Sequence, residues 1–137
     1  MTLKLQLVKN GVVLVEIPLS PADWPRDRLE SELDAFESGF QNFSRIFDIL
    51  SHKTSLMMMK RLIEEKDHTM NFADFMRDLN LNPKIVWENA KKLSERGLLE
   101  KVDRGKYRCS EYGQRRFILI NFALRRIIEA IEEMEGV

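Results

Sequence analysis

The sequence predicts a mostly α protein with a small β component, and three observations carry that prediction. Two apolar seams at heptad spacing mark long one-sided helices: Leu29, Leu33, Phe36, Phe40, Phe43, Phe47 and Leu50, then Phe117, Ile120, Leu124, Ile127, Ile131 and Met134. Shorter helical faces lie between them, separated by turn residues. Asn10-Gly11 sits between two β-prone runs, Leu3–Leu7 and Val12–Ile17, and both turn residues tolerate the positive φ of a tight hairpin turn.

The hairpin is expected over residues 1–18. Both of its faces carry apolar groups, so it is expected to pack on something. Pro18, Pro21 and Pro25 form a stiff connector, and a long helix follows over 23–51, with Ser20 or Asp23 as its cap and Gly39 as a weak point. Leu56, Met59, Leu62 and Ile63 give a helical face between about 53 and 66, and Phe72, Phe75, Met76 and Leu79 give a second, short one. Asn80 to Asn82 make a turn, and Pro83 stands at the first helical position, where its missing N–H is harmless. The next helix turns Val86, Ala90 and Leu93 inward and stops at Gly97. Leu98–Val102 and Tyr107–Cys109 read as strands around a turn at Asp103 to Lys106. The second long seam closes the chain over 113–137.

With 137 residues, 44% of them apolar and 32% charged, the chain suits one soluble domain with its own core. The single Cys109 excludes an intramolecular disulfide framework and a multi-cysteine zinc site. The longest wholly apolar run, Val12–Val15, falls far short of the roughly 20 residues of a membrane span. Met1 is followed by a strand-like pattern and not by a signal sequence. A cytoplasmic protein without a membrane partner is expected. The 22 basic and 22 acidic residues cancel, yet residues 1–50 carry 5 basic against 8 acidic, 71–110 carry 9 against 6, and 111–137 carry 4 against 5. The basic middle is where an anionic partner is expected.

Reactive residues are sparse. His52, His68 and Cys109 match no recognised metal-ligand spacing, so neither metal nor cofactor is expected. Arg108 beside Cys109 raises the question of a redox-active thiolate, against the plainer reading of a small apolar residue in a strand. Met57, Met58 and Met59 point in different directions on a helix and read as core filling. Glu64-Glu65 and Glu132-Glu133 read as solvated surface, and Ser94 and Ser110 lack a triad arrangement. No phosphate loop or hydrolase motif is present, and no enzyme is expected.

The central order is helix, short helix, tight turn, helix, then a β-hairpin with a basic tip. Three stretches, Phe72 to Val86, Leu93 to Leu99 and Gly105 to Gly113, resemble the ArsR/MarR-like winged helix-turn-helix transcriptional regulators of bacteria and archaea. The resemblance spans about residues 53–116 and includes the Leu-x-x-x-Gly-Leu approach to the wing. It implies a winged helix-turn-helix DNA-binding domain over 52–112, a recognition helix over 82–96 in the major groove and a wing over 98–109 on the backbone or minor groove of double-stranded DNA. The groove-facing candidates are Asn82, Lys84, Ile85, Glu88, Asn89, Lys91 and Lys92, and Arg104, Lys106 and Arg108 of the wing are expected on phosphates. The two long seams match the family's dimerisation helices in position, which implies a homodimer with recognition helices about 34 Å apart. No effector ligand is named by the sequence.

Three residues depart from the family pattern. Met76 replaces a small alanine, Trp87 stands where a small polar residue normally faces DNA, and Glu88 places negative charge beside phosphates. These, Ile85 and the zero net charge favour an alternative, a winged-helix protein–protein interaction module of a transcription or chromatin complex.

Overall fold

The computed structural model describes residues 2–136; residues 1 and 137, the outer ends of the expected hairpin and closing helix, lie outside them. Two compact units divide between Phe43 and Ser44.

In the first unit, β1 (Lys4–Lys9) pairs antiparallel with β2 (Val12–Pro18). Asn10 at φ 52° and Gly11 at φ 79° form the turn as expected. Trp24 Nε1 donates to the Pro18 carbonyl at 2.9 Å, closing the connector, which contains a 3-10 turn at Pro21–Asp23. The long helix α1 runs Arg26–Ser51. It starts later than the sequence predicts because Asp23 is used in the 3-10 turn and the Ser20 side chain makes no capping bond. Pro25, whose carbonyl accepts from the Leu29 N–H at 2.9 Å, begins it instead.

The second unit is a winged helix-turn-helix. It contains the end of α1, then α2 (Lys53–Glu64), β3 (Thr69–Asn71), α3 (Phe72–Leu79), α4 (Pro83–Glu95), β4 (Leu99–Asp103), β5 (Lys106–Cys109) and α5 (Glu111–Ile118). A π-helical stretch at Leu119–Ala123 joins α5 to α6 (Leu124–Met134). The sheet is antiparallel, in the order β3-β5-β4. The turn between α3 and α4 is built from asparagines. Asn71 caps α3 by accepting from the Asp74 N–H at 2.9 Å, Asn80 takes the left-handed conformation at φ 52°, and Asn82 caps α4 by accepting from the Ile85 N–H at 2.9 Å. Leu50, Met58, Met59, Leu62, Phe75, Val86, Leu93 and Leu98 are fully buried and form the core, which also holds Phe117. Gly113 sits directly over the backbone of Leu98, the residue before β4, where a Cβ would collide with the Leu98 carbonyl oxygen.

Candidate nucleic-acid interface

The faces of α4 decide which of its residues are available to a partner. Val86, Ala90 and Leu93 point into the core, and they take Asn89 with them. Asn89 is 8% exposed; its Oδ1 accepts from Ser55 Oγ at 3.0 Å and its Nδ2 donates to the Ile85 carbonyl at 2.8 Å. This corrects the expectation that Asn89 reads bases, since both ends of its amide are engaged inside the fold. Asn82 is exposed, but its carboxamide oxygen is committed to the helix cap. Ile85 is half-buried.

The outward face carries Lys84, Trp87, Lys91 and Lys92, all exposed, with Glu88 beside them. Lys84 Nζ lies 4.0 Å from Glu88 Oε1, so one lysine offsets the acidic residue within the helix. The Lys91 ammonium stands 5.1 Å over the Trp87 ring, which is itself 53% exposed. Trp87 therefore belongs to the surface, not to the core.

The wing places its charges at the tip. Gly105 at φ 66° makes the turn between β4 and β5, and its carbonyl accepts from the Phe72 N–H at 2.7 Å, tying the tip to the start of α3. Arg104 and Lys106 are exposed and enter no ion pair among the described residues. Arg108 instead pairs across the strands with Glu100 at 2.8 Å, so part of its charge is already compensated. Arg61 of α2 and Arg77 of α3 are different. Arg61 meets both Glu65 and Asp78, and Arg77 meets Asp78 and Asp74. These hydrogen bonds raise both guanidinium pKa values, and the bond from Arg77 leads those that lower the Asp78 carboxyl. On α4 and the wing, Lys91, Lys92, Arg104 and Lys106 are left exposed and outside any ion pair among the described residues.

Other candidates resolve into structural roles. Cys109 is 1% exposed and its thiol is pushed up to about 12, first by burial and then by Glu100, which removes the thiolate a redox sensor needs. Ser110 Oγ donates to the Gly97 carbonyl at 2.6 Å and accepts from the Gly113 N–H at 2.9 Å, capping α5. Met58 and Met59 fill the core while Met57 is 38% exposed. No group of three or more His, Cys, Asp or Glu among the described residues is arranged to hold a metal ion. Among the described residues, no helix is long and apolar enough to cross a membrane.

The expected dimer-interface residues divide. Leu33, Phe36, Phe40, Phe43 and Phe47 of α1 are exposed, as are Leu124 and Met134 of α6; Leu29, Ile120, Ile127 and Ile131 are half-buried. Phe117 is 6% exposed and packs in the chain's own core, so it is withdrawn from the interface. Its seam is also interrupted by the π-helical stretch, which turns Leu119 and Phe122 outward at 61% and 45% exposure. Heptad spacing gives no sign of that extra residue in the turn.

No protein-family model and no curated protein sequence matches the chain. Among solved structures it is similar to the transcriptional repressor BigR from Xylella fastidiosa, at 21% identity and a TM-score of 0.52, over 69% of this chain and 93% of that one. The two share a fold.

Proposed function

We propose that the protein is a homodimeric winged-helix DNA-binding transcriptional regulator. Helix α4 enters the major groove and the wing rests on the backbone or minor groove. The observation that carries the reading is the distribution of charge. In a fold shared with a transcriptional repressor, Arg61 of α2 and Arg77 of α3 are tied to carboxylates, while Lys91, Lys92, Arg104 and Lys106 are exposed and enter no ion pair among the described residues. Exposed cations are what phosphates recruit, and they set affinity and salt dependence. Lys84, Trp87, Glu88 and Lys91 are positioned for base edges, and Trp87 offers an apolar surface suited to a thymine methyl. The working division is a hairpin over 1–18, helices for dimerisation over 23–51 and 113–137, and the DNA-binding domain over 52–112. This is a binding role without catalysis.

The test is a titration against the chain's own upstream DNA and a shuffled duplex at several salt concentrations. Tighter binding to the native fragment, with a salt slope reporting several phosphate contacts, is expected. Equal and weak binding to both removes the operator from the account. The exposed Trp87 then favours the second reading, a module for protein contact, in which Trp87→Ala damages partner binding and changes at the wing do not.

A further inference from the structure

We propose that the hairpin of residues 1–18 seats its apolar face in a groove around Gly39 of a second copy of this chain, and receives that copy's hairpin in return. Directly opposed residues of an antiparallel pair share a face. Leu5 with Ile17 and Leu7 with Val15 therefore lie on one face, and Lys4 with Pro18 and Gln6 with Glu16 on the other. The bulge adds Leu14 to β2, so Val8 pairs with Val13 on the polar side and Lys9 with Val12 on the apolar side. Leu7, Val12, Val15 and Ile17 of the apolar face are 40 to 60% exposed. A two-stranded hairpin is marginal in water until a helix or further strand covers such a face.

The complementary shape lies in the same unit. Glu32, Ala35, Phe36, Gly39, Phe40 and Phe43 line a groove of about 360 Å³ on α1. Gly39 is its floor. Glycine is unfavourable inside a helix, and here a Cβ would meet nothing within 4 Å, so no close approach within the chain accounts for it. An apolar side chain entering from another molecule does. Leu33, Phe36 and Phe40 remain 58, 66 and 53% exposed, so the chain's own hairpin does not cover them. The face and the stripe also agree in length, at about 20 Å for a six-residue strand and about 15 Å for ten helical residues. Together they expose on the order of 800 Å², about what each partner contributes to a standard stable interface. Because both surfaces sit in one unit, reciprocal insertion closes about a two-fold axis and leaves neither exposed.

The inference rests on the homodimer in the reading above, not on DNA binding. Gly39→Leu fills the notch while improving helix propensity, so folding is not at risk. In sedimentation equilibrium of the full chain, Gly39→Leu and Val15→Lys are each expected to raise the dimer dissociation constant at least about tenfold with the helical circular dichroism intact. Two differently tagged populations, one Leu7→Cys and one Ala35→Cys, are expected to form disulfides between the two kinds of chain; the buried Cys109 does not compete. A dimer of unchanged strength in Gly39→Leu, or Leu7→Cys chains that link only to each other, overturns the docking and leaves the homodimer standing. A wild-type chain that stays monomeric at every concentration reached overturns both.

Discussion

The two units use the same apolar alphabet and spend it differently. From Leu50 onward, heptad and helical faces converge on a core with eight large side chains at 0% exposure, while no residue from Thr2 to Phe43 is buried. Periodicity says that a face is apolar; it does not say which chain covers it. Two helical glycines make the difference measurable. Gly113 stands against the Leu98 backbone, which cannot yield to a Cβ, whereas Gly39 has open space beside it. Gly113→Ala is expected to cost about 3 kcal/mol or more and to lower the melting temperature by on the order of 10 °C. Gly39→Ala is expected to raise helix stability by up to about 1 kcal/mol. Thermal melts of the two variants at low protein concentration check this, and similar shifts for both would erase the contrast.

Asn89 sharpens the same comparison within one helix. Asn89→Ala removes the partner of Ser55 and is expected to cost about 1–3 kcal/mol in denaturant unfolding. Base preference in a duplex-selection experiment is expected to stay as it was. A changed preference would return Asn89 to the groove face. The paired and unpaired cations give the next contrast. Arg104→Ala with Lys106→Ala is expected to reduce the salt slope of duplex binding by about 2 and to weaken binding about tenfold across sequences. Arg77→Ala, whose charge is already met by Asp74 and Asp78, is expected to leave the slope unchanged.

Much of the winged core is legible in the sequence because local signals and tertiary packing agree there. Asn80, Pro83 and Gly97 each suit the backbone they adopt. Four features are not legible. β3 has only three residues and exists through its pairing with β5, a long-range term. The late start of α1 follows from competition between Ser20, Asp23 and Pro25 for the same turn. Asn89 was drawn outward by its chemistry, although the spacing of Val86, Ala90 and Leu93 already places it on the inner face. The break in the second seam comes from a π turn that shifts the register of a helix without any glycine or proline to announce it. Of the candidate site, the basic wing tip is legible in Arg104 and Lys106 around a turn between two strand-like runs; the pairing of Arg108 and the burial of Phe117 needed the fold.

The smallest effect lies in the Arg61–Asp78–Arg77 cluster, and it has a sign. Hydrogen bonds from Arg77 and then Arg61 hold the Asp78 carboxyl below its ordinary value of 3.8. A carboxyl whose folded pKa is depressed stabilises the fold fully above its unfolded value, and that contribution disappears as pH falls through the folded value. Asp78→Asn is therefore expected to lower the melting temperature slightly at neutral pH, by an amount that stays flat down to about pH 5 and shrinks towards zero in stronger acid. The groups are solvent-exposed enough for salt to reduce the difference further. A difference between wild type and Asp78→Asn that persists unchanged to the lowest pH at which both fold would mean that shape, and not charge, is what Asp78 supplies. If the difference does shrink, Arg61 and Arg77 are neutralised by the protein itself, whereas Lys91, Lys92, Arg104 and Lys106 keep their charge for a nucleic acid.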